Sequence, residues 1–523
     1  MPFTGDQSII TGVLQTARTA PDKPALVVTS ARDPSASSTT FGALVERAGL
    51  FAGGLAGAGF RAGDRILCAA PPSPDFYAFA LALLAGRMPV VLIDGSLDRR
   101  RLLGALRAAR ARAIVSTAAA LRRWPLVPPL VRMRRYAVDG APWGVRAFHE
   151  LLGDPAELPQ PPADDTPGVI SFTSGSTGRA KGVIRTHEVL LGQHVGIAAM
   201  LPARPDDVDM TCFPAVVLHN LMSGVATVLP PVDLRRPWAG DPRTVLEAIE
   251  TWGVTRLSGA PAFIERLADE VASSDRRAES LRSVVVGGAP VSRRLCARVL
   301  EAFPDADCVV AYGATEAEPI AHVGMRDVLD SDGDGLLVGA PAAGRELMLA
   351  LLPDRVESEL PSGELEARAA REGEVLVAGP GVSDGYAGDP DLASLTKVRE
   401  SSGRVWHRTG DLARRDDRGR LWLLGRRGQV VDHAGTAVYP LQLEALVEEL
   451  PGVSRAALVG SASGNGGALA VAGTESALPE VRQRLEELGL AGLPVRRVES
   501  IPMDRRHHSK IDRPALARQL AGK

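Results

Sequence analysis

The most constraining feature of this sequence is a glycine- and hydroxyl-rich segment between two short apolar runs. It extends from Ser171 to Val183, reads SFTSGSTGRAKGV, and has five hydroxyl residues and two glycines in its first eight positions. Glycines let backbone N–H groups approach an anion closely, and hydroxyls add further donors. The apolar runs, Val169 to Phe172 and Gly182 to Ile184, predict a strand–loop–strand unit rather than a loop that opens a helix. The segment is therefore interpreted as a phosphate-binding loop.

The lysine in this segment supports the phosphate interpretation. Only five of the 60 basic residues are lysine, so arginine is the routine surface cation of the chain. Lysine at a motif position then invites a specific reason, and the ammonium of Lys181 is a point charge suited to phosphate. The spacing is not GxxxxGK[ST], which excludes a Walker loop. A bare Ser/Gly hairpin turn is the alternative, but it requires neither the hydroxyl density nor the rare lysine.

Length, composition and charge indicate a multidomain globular protein and argue against some classes of partner. The 523 residues exceed one typical domain, and 45% hydrophobic with 23% charged residues is ordinary for a globular protein. The 60 basic and 62 acidic residues leave a net charge of −2. This balance argues against nucleic acid or an anionic membrane as the main partner. The four cysteines are scattered without a CxxC pair, so neither a disulfide framework nor a cysteine zinc site is expected.

The N-terminal segment predicts the compartment. It lacks a basic start followed by an apolar core, so no secretory signal is expected. No run of about 18 apolar residues occurs, so no membrane-spanning helix is expected either. The predicted localisation is cytoplasmic.

Apolar runs and helical patterns alternate along the first part of the chain. Strands are predicted at Arg65 to Ala70 and Val90 to Ile93, with a buried helix at Tyr77 to Leu84 between them. Residues 99–112 are arginine-rich but have helical spacing, which favours a solvated amphipathic helix over a nucleic-acid site. A further helix is predicted from Ser292, a plausible N-cap, to Phe303.

A change of pattern near Gly425 to Gly428 predicts a domain boundary. Beyond it, two helical patterns and two short strands form a compact unit. The predicted fold class is α/β. It comprises a large multi-sheet N-terminal domain (1–424), a hinge (425–428) and a small, mobile α+β C-terminal domain (429–523).

Further motifs follow the loop in a fixed order: GGAP at Gly287 to Pro290, YGATE at Tyr312 to Glu316, RTGDL at Arg408 to Leu412, Gly425-Arg426, and Lys510 in HHSKIDR. With SFTSGSTGRAKGV and the downstream His187, they resemble the adenylate-forming superfamily of acyl-CoA synthetases, peptide-synthetase adenylation domains and luciferases. The resemblance covers nearly the whole chain. It implies an ATP-dependent enzyme that activates a carboxylic acid as its acyl-AMP.

The resemblance also implies how the nucleoside is held. Tyr312 would stack on adenine, Asp411 would accept hydrogen bonds from both ribose hydroxyls, and Arg426 would lie near the ribose and the hinge. The complete set of ATP-binding residues implied in this way is Thr173, Ser174, Gly175, Ser176, Thr177, Gly178, Lys181, Gly288, Ala289, Pro290, Tyr312, Gly313, Thr315, Asp411 and Arg426.

Catalytic roles follow from the same resemblance. Thr315 would contact the α-phosphate, Glu316 would hold Mg²⁺, and Lys510 would bridge the carboxylate and α-phosphate oxygens. The chemistry requires such groups, because a carboxylate that attacks an anionic phosphorus builds up negative charge. Taken singly, Asp411 could be a turn residue, Glu316 a surface carboxylate and Lys510 a solvated residue. Their joint occurrence favours the functional reading.

Two departures separate this chain from the common acyl-CoA synthetase pattern. Gly428 stands where an acidic hinge residue is usual, although glycine can still act as a hinge. In the following segment, GRRGQVVDHAGTAVYP, Ala434 occupies the position of a glycine that lines the pantetheine path in thioester-forming members, and Gly435 comes one residue later. Coenzyme A is therefore not expected to be the acceptor.

Two segments resemble the β-lactone synthetases of olefin and natural-product pathways. They are MDRRHHSKIDR at Met503 to Arg513, and Asp209 to Leu229 with the PPVDLRRP that follows. That group activates a β-hydroxy acid, whose hydroxyl then displaces AMP and closes a four-membered lactone. The alternatives are an acyl-CoA ligase, an enzyme that activates another acid such as nitrite, and a non-catalytic relative. The intact Glu316, Asp411 and Lys510 oppose the last.

Histidines supply the remaining candidates. His219, where the acyl pocket is expected to begin, is either a residue that orients the substrate or takes the β-hydroxyl proton, or a packed pocket-wall residue. His507 and His508 are interpreted as a solvated pair rather than phosphate-side residues. ATP and Mg²⁺ are the expected cofactors. The expected partners are a small carboxylic acid and other enzymes of the same pathway, without nucleic acid.

Overall fold

The computed structural model describes residues 7–29, 37–95, 97–174, 180–353, 359–361, 363–461, 466–504 and 508–521. The strands up to residue 426 are β1 (Pro24–Val28), β2 (Ser38–Thr40), β3 (Ile66–Ala69), β4 (Val90–Ile93), β5 (Ala113–Ser116), β6 (Arg134–Ala137), β7 (Arg146–Ala147), β8 (Pro167–Ser174), β9 (Ala180–Thr186), β10 (Val208–Thr211), β11 (Ala226–Leu229), β12 (Arg256–Gly259), β13 (Ser283–Gly287), β14 (Asp307–Ala314), β15 (Ala317–Gly324), β16 (Leu336–Pro341), β17 (Glu346–Ala350), β18 (Glu359–Leu360), β19 (Glu372–Ala378), β20 (Gly385–Tyr386), β21 (Lys397–Glu400), β22 (Val405–Arg415) and β23 (Leu421–Arg426).

The helices of the same part of the chain are α1 (Thr11–Thr19), α2 (Phe41–Gly57), α3 (Pro74–Ala85), α4 (Arg99–Ala109), α5 (Ala118–Leu121), α6 (Pro128–Val131), α7 (His187–Met200), α8 (Pro214–Met222), α9 (Pro242–Trp252), α10 (Pro261–Ser273), α11 (Arg293–Ala302), α12 (Met325–Leu329) and α13 (Pro390–Thr396). Several are capped as their sequences predict. The Ser292 hydroxyl, for example, accepts the Leu295 N–H at 3.3 Å at the start of α11.

Two large sheets form the body of this part. One contains β20-β9-β8-β4-β3-β5-β6-β7, in which β4, β3, β5 and β6 run parallel to β8. The other runs β17-β19-β22-β23-β16-β15-β14-β13-β12-β10-β11-β1-β2, with β18 and β21 attached beside β22. Its strands from β14 through β13, β12, β10 and β11 to β1 are parallel. Buried apolar clusters lie between these sheets and their helices.

The segment after Arg426 forms further sheets. Its elements are β24 (Val431–His433), β25 (Thr436–Val438), α14 (Pro440–Glu448), β26 (Val453–Gly460), β27 (Gly467–Gly473), α15 (Leu478–Glu487), β28 (Val495–Val498) and α16 (Arg513–Ala521). Strands β26, β27 and β28 form one sheet, and β24 pairs with β25. Two apolar clusters of this segment pack α14 and α15, and then α16, against β26 and β27.

The predicted α/β class is confirmed, and most elements lie where the patterns placed them. Strand β4 has the predicted bounds, and α3 extends the predicted helix by a few residues at its start. The two helical patterns predicted beyond the hinge correspond to α14, which ends at Glu448, and α15, which ends at Glu487. None of the helices among the described residues combines the length and the apolar composition of a membrane span.

Candidate functional site

A cleft of about 2180 Å³ lies where the two large sheets and the C-terminal segment meet. Strands β8, β13 and β14 all deliver their carboxyl ends to it, which is where open α/β sheets bind ligands. The sequence-predicted residues that line the cleft are Thr173, Lys181, His219, Gly288, Gly313, Thr315, Glu316, Arg426 and Lys510. The structure thus brings together residues that are more than 300 positions apart in the chain.

The glycine- and hydroxyl-rich loop joins β8 to β9, as predicted. The two strands are antiparallel, and Thr173 is in register with Lys181. Of the predicted phosphate ligands, Ser174 ends β8, whereas Gly175, Ser176, Thr177 and Gly178 lie outside the described residues. Burial lowers the pKa of Lys181, and the nearby Glu316 partly opposes that effect. The ammonium therefore stands in the cleft with a carboxylate close enough to stabilise its charge.

The predicted ribose and adenine residues form a hydrogen-bonded group beside the cleft. Asp411 on β22 is in register with Arg426 on β23. The Nε–H of Arg426 donates to Asp411 Oδ1 at 3.0 Å, and the Tyr312 hydroxyl donates to Oδ2 at 2.8 Å. A carboxylate has about four acceptor sites, so Asp411 retains capacity for two more donors.

Of the three residues predicted to lie on the adenine side, only the first lines the cleft. Gly288, Ala289 and Pro290 form the loop between β13 and α11. Gly288 has a left-handed φ of 80° and lines the cleft. Among the described residues that line the cleft, Ala289 and Pro290 do not appear.

Glu316 lies in the tight turn between β14 and β15. The Tyr386 hydroxyl donates to its Oε1 at 3.0 Å, and its backbone oxygen accepts the Ser383 N–H at 2.7 Å. Burial pushes the pKa of Glu316 upward, but the nearby His407, Lys397 and Lys181 side chains and a backbone hydrogen bond outweigh it, and the pKa lies below its ordinary value. Glu316 is therefore an ionised, oriented carboxylate at neutral pH.

Lys397 is a residue of this site that the sequence analysis missed. It begins β21 behind Glu316, and the residue as a whole is 3% exposed. Its Nζ donates to the Ser383 backbone oxygen and lies 5.6 Å from the centre of the Tyr386 ring. Burial lowers the pKa of Lys397 to about 7. The rarity of lysine in this chain was the signal that could have singled it out.

A pair of histidines forms another part of the cleft wall. His194 on α7 and His219 on α8 both line the cleft, and their Nδ1 atoms are 3.0 Å apart. Their ring centres lie 4.8 Å apart with planes tilted by 44°. His219 is 2% exposed, and within the described structure its Nε2 has no hydrogen-bond partner. The sequence analysis singled out His219 but not His194, because no local spacing connects α7 with α8.

The loop that carries Lys510 rests on the large N-terminal part. The Ser509 hydroxyl accepts the Ala262 N–H at 3.1 Å, at the start of α10. The exposed His508 ring stacks on Trp238, with centres 4.1 Å apart and planes 20° apart. Asp504 Oδ1 accepts the backbone N–H groups of Ser509 and Lys510 at 2.9 and 2.7 Å. His507 lies outside the described residues.

The shifted glycine lies in the hairpin between β24 and β25. Ala434 and Gly435 are its two turn residues, with φ values of 53° and 83°. Two successive left-handed residues are typical of a type I′ hairpin turn. Glycine adopts this conformation freely, whereas alanine there is strained. The turn thus places one unstrained residue, Gly435, and one strained residue, Ala434, in the left-handed region.

Comparison with known proteins finds both similar sequences and similar structures. The model of the family described as AMP-binding enzyme matches residues 13–387. An olefin beta-lactone synthetase of Xanthomonas campestris pv. campestris is 32% identical over 96% of this chain and 95% of its own length. The amide bond synthetase of Marinactinospora thermotolerans has a similar structure, with a TM-score of 0.77, 24% identity, and coverage of 97% of this chain and 99% of its own. The o-succinylbenzoate coenzyme A synthetase of Bacillus subtilis, solved with ATP and magnesium ion, gives 0.75 at 20% identity, covering 97% and 98%.

Proposed function

Since this chain belongs to the AMP-binding enzyme family, we propose that it activates a β-hydroxy acid with ATP and closes the acyl-AMP to a β-lactone. One observation carries the proposal. A single cleft contains the cations and carboxylate that adenylation requires and, in its wall, a pair of neutral histidines suited to proton transfer. The likeness to an olefin beta-lactone synthetase over nearly the full length of both chains supports it.

In the first half-reaction, a carboxylate oxygen of the substrate attacks the α-phosphorus, and the bond to the β-phosphate breaks to release pyrophosphate. Lys181 and Lys510 contribute positive charge to the cleft in which this anionic transition state forms. Thr315 adds a hydroxyl donor beside Glu316. The Tyr312, Asp411 and Arg426 group supplies the acceptor capacity that ribose hydroxyls require.

Mg²⁺ fits this donor set as an ion carried by the nucleotide. The described residues contain no group of three or more His, Cys, Asp or Glu side chains that could hold a metal. Mg²⁺ commonly binds through one or two carboxylates together with substrate phosphates. Glu316, ionised and oriented by Tyr386, would be that carboxylate. When bound, the ion would offset charge on the phosphates.

In the second half-reaction, the β-hydroxyl oxygen attacks the acyl carbon, and the carbon–oxygen bond to AMP breaks. The nucleophile is already part of the substrate, so the cleft must supply orientation rather than a second binding site. The Ala434–Gly435 turn, which replaces the glycine position of the pantetheine path, supports an acceptor other than coenzyme A. The product would pass to another enzyme of the same pathway.

The proposed mechanism includes rotation of residues 429–523 against residues 1–424 about a hinge at 425–428. Arg513, three residues after Lys510, donates to buried Glu444 on α14 at 2.6 and 2.9 Å and to the Leu458 oxygen on β26 at 2.6 Å. These bonds tie the Lys510 loop to the core of the C-terminal segment. Lys510 would therefore enter and leave the cleft with that segment.

A product screen with a panel of β-hydroxy acids tests the proposal. Each acid is incubated with ATP and Mg²⁺, with and without coenzyme A, and the products are identified by mass spectrometry. We expect AMP, pyrophosphate and a β-lactone without coenzyme A, and an acyl-AMP that stalls or hydrolyses slowly from a matched acid lacking the β-hydroxyl. Rapid conversion of that matched acid to a thioester would instead identify an acyl-CoA ligase.

A further inference from the structure

The short distance between His194 and His219 restricts which ring nitrogens can carry hydrogen. Two Nδ1 atoms 3.0 Å apart form a hydrogen bond only if one of them carries a hydrogen and the other does not. Each neutral ring has one N–H, so one ring is protonated at Nδ1 and the other at Nε2. If His194 donates its Nδ1–H to His219, then the Nε2 of His194 is a free lone pair.

Both rings line the cleft, but they differ in how far a substrate can reach them. His219 is 2% exposed, and no atom of the described residues hydrogen-bonds to its buried Nε2. His194 is more exposed and lines the cleft. Because its Nδ1 is turned toward His219, its Nε2, on the opposite edge of the ring, is the nitrogen that a substrate can reach.

The surrounding charges favour protonation of His194 over His219. Burial lowers the pKa of His194 to about 4, so the ring is neutral at pH 7 and able to accept a proton. Burial holds the pKa of His219 well below its ordinary value, and His194 and the Arg256 guanidinium lower it further. Arg256 is itself fixed by Asp209, 3.1 Å away. A proton taken from the substrate would therefore reside on His194, with its Nδ1–H still donated to His219.

We propose that His194 is the general base that removes the β-hydroxyl proton during lactone closure and that His219 is a positioning residue that orients it. This inference rests on the proposed function. The hydroxyl proton passes to Nε2 of His194, the hydroxyl oxygen forms the new bond to the acyl carbon, and the bond between that carbon and the AMP oxygen breaks. AMP leaves with the electron pair, and the imidazolium then releases its proton to solvent.

The two half-reactions separate this role from a structural one. Adenylation consumes a carboxylate that is already ionised, so no proton has to be removed from the substrate. Loss of His194 should therefore leave acyl-AMP formation intact and slow only closure. A residue that merely shaped the pocket would affect substrate affinity and both half-reactions.

The test is a single-turnover experiment on the full chain with a β-hydroxy acid that the native enzyme converts to lactone. His194→Gln places an amide near the Nε2 position, and His194→Asn places one near Nδ1, toward His219. Neither amide can accept the proton. We expect both variants to keep the native burst of pyrophosphate and to close the lactone about 10²- to 10⁴-fold more slowly. His149→Asn, which removes an exposed histidine that does not line the cleft, is the matched control and should close at the native rate.

Variants of His219 test its proposed role as a positioning residue. His219→Asn retains a polar group toward His194 Nδ1 and should slow closure by less than tenfold. His219→Leu removes the hydrogen bond and should slow closure more, again with an intact pyrophosphate burst. This order of effects, with conservative rescue by asparagine, is expected of a residue that acts through His194.

Three results would count against the proposal. Closure at the native rate in His194→Gln and His194→Asn would show that His194 is not the base, and an equal loss of burst and closure would assign it to substrate binding. If a variant does not fold, the rate of lactone closure by the native enzyme is compared between β-hydroxy acids with and without fluorine beside the carbinol carbon, because fluorine makes the hydroxyl more acidic. A closure rate that does not change with the acidity of the hydroxyl would contradict base catalysis. Failure of the native enzyme to make lactone from any β-hydroxy acid would instead refute the proposed function.

Discussion

The contacts that hold the Lys510 loop over the cleft can be weakened without touching Lys510. The double variant His508→Ala, Ser509→Ala removes the stack on Trp238 and the hydrogen bond from the Ala262 N–H. An aromatic pair contributes about 0.5–1.5 kcal/mol, and a typical hydrogen bond about 0.5–1.5 kcal/mol. The docked state should lose about 2 kcal/mol, and with tenfold per 1.36 kcal/mol this is about 30-fold in its population relative to an undocked state.

Exchange of pyrophosphate into ATP measures the consequence, because it reports the half-reaction for which Lys510 must be in the cleft. We expect the exchange rate of the double variant to fall by up to about 30-fold, with each single variant accounting for part of the loss. ATP affinity should be unchanged, since Tyr312 and Asp411 belong to the large part of the chain. Ser476→Ala, an exposed serine of the same C-terminal segment, is the control. Exchange at the native rate in the double variant would show that these contacts do not govern adenylation.

Three other perturbations test separate parts of the site. Lys510→Ala should lower pyrophosphate exchange by about 10²-fold or more, as loss of one preorganised charge-stabilising donor does, and undiminished exchange would remove Lys510 from catalysis. Gly428→Pro should slow turnover by restricting φ while nucleotide affinity, measured by calorimetry, persists; full turnover would exclude rotation at this glycine. Lys397 has a folded-state pKa of about 7, against about 10.4 in the unfolded chain. The free energy of unfolding of the native protein, measured relative to that of Lys397→Met, should therefore rise by about 2 kcal/mol between pH 7 and 9, because only the folded lysine loses its proton there. The same difference in unfolding free energy between the two proteins at both pH values would contradict this.

Most helices and strands could be predicted from short stretches of sequence, because caps and apolar spacing act within a few residues. The Ser292 cap, the spacing of Leu295 and Val299 on one face, and the apolar run of β4 are all determined within a few residues. The family motifs likewise identified cleft residues such as Glu316, since each stands at a strand end or turn whose sequence is recognisable.

The remaining features depend on contacts between distant segments. Nothing in the sequence near His194 indicates that α8 brings His219 to 3.0 Å, because the pairing depends on how two helices pack. The contacts of the Lys510 loop with Trp238 and Ala262 join residues about 250 positions apart, so no local sequence pattern predicts them. Burial of Lys397 is equally invisible, since a lysine at the start of a strand is ordinarily a surface residue.

The distribution of lysine connects the sequence to the chemistry. Of the five lysines, Lys523 lies outside the described residues, and Lys23 donates to the Pro205 oxygen at the surface. Lys181 and Lys510 line the cleft, and Lys397 lies behind its carboxylate. An arginine would bring a planar, permanently charged fork, whereas a lysine offers a compact charge whose pKa responds to burial. In a chain whose basic residues are almost all arginine, Lys181 and Lys397 both act electrostatically on Glu316. A compact charge whose pKa responds to burial suits a reaction in which phosphate charge changes at each step.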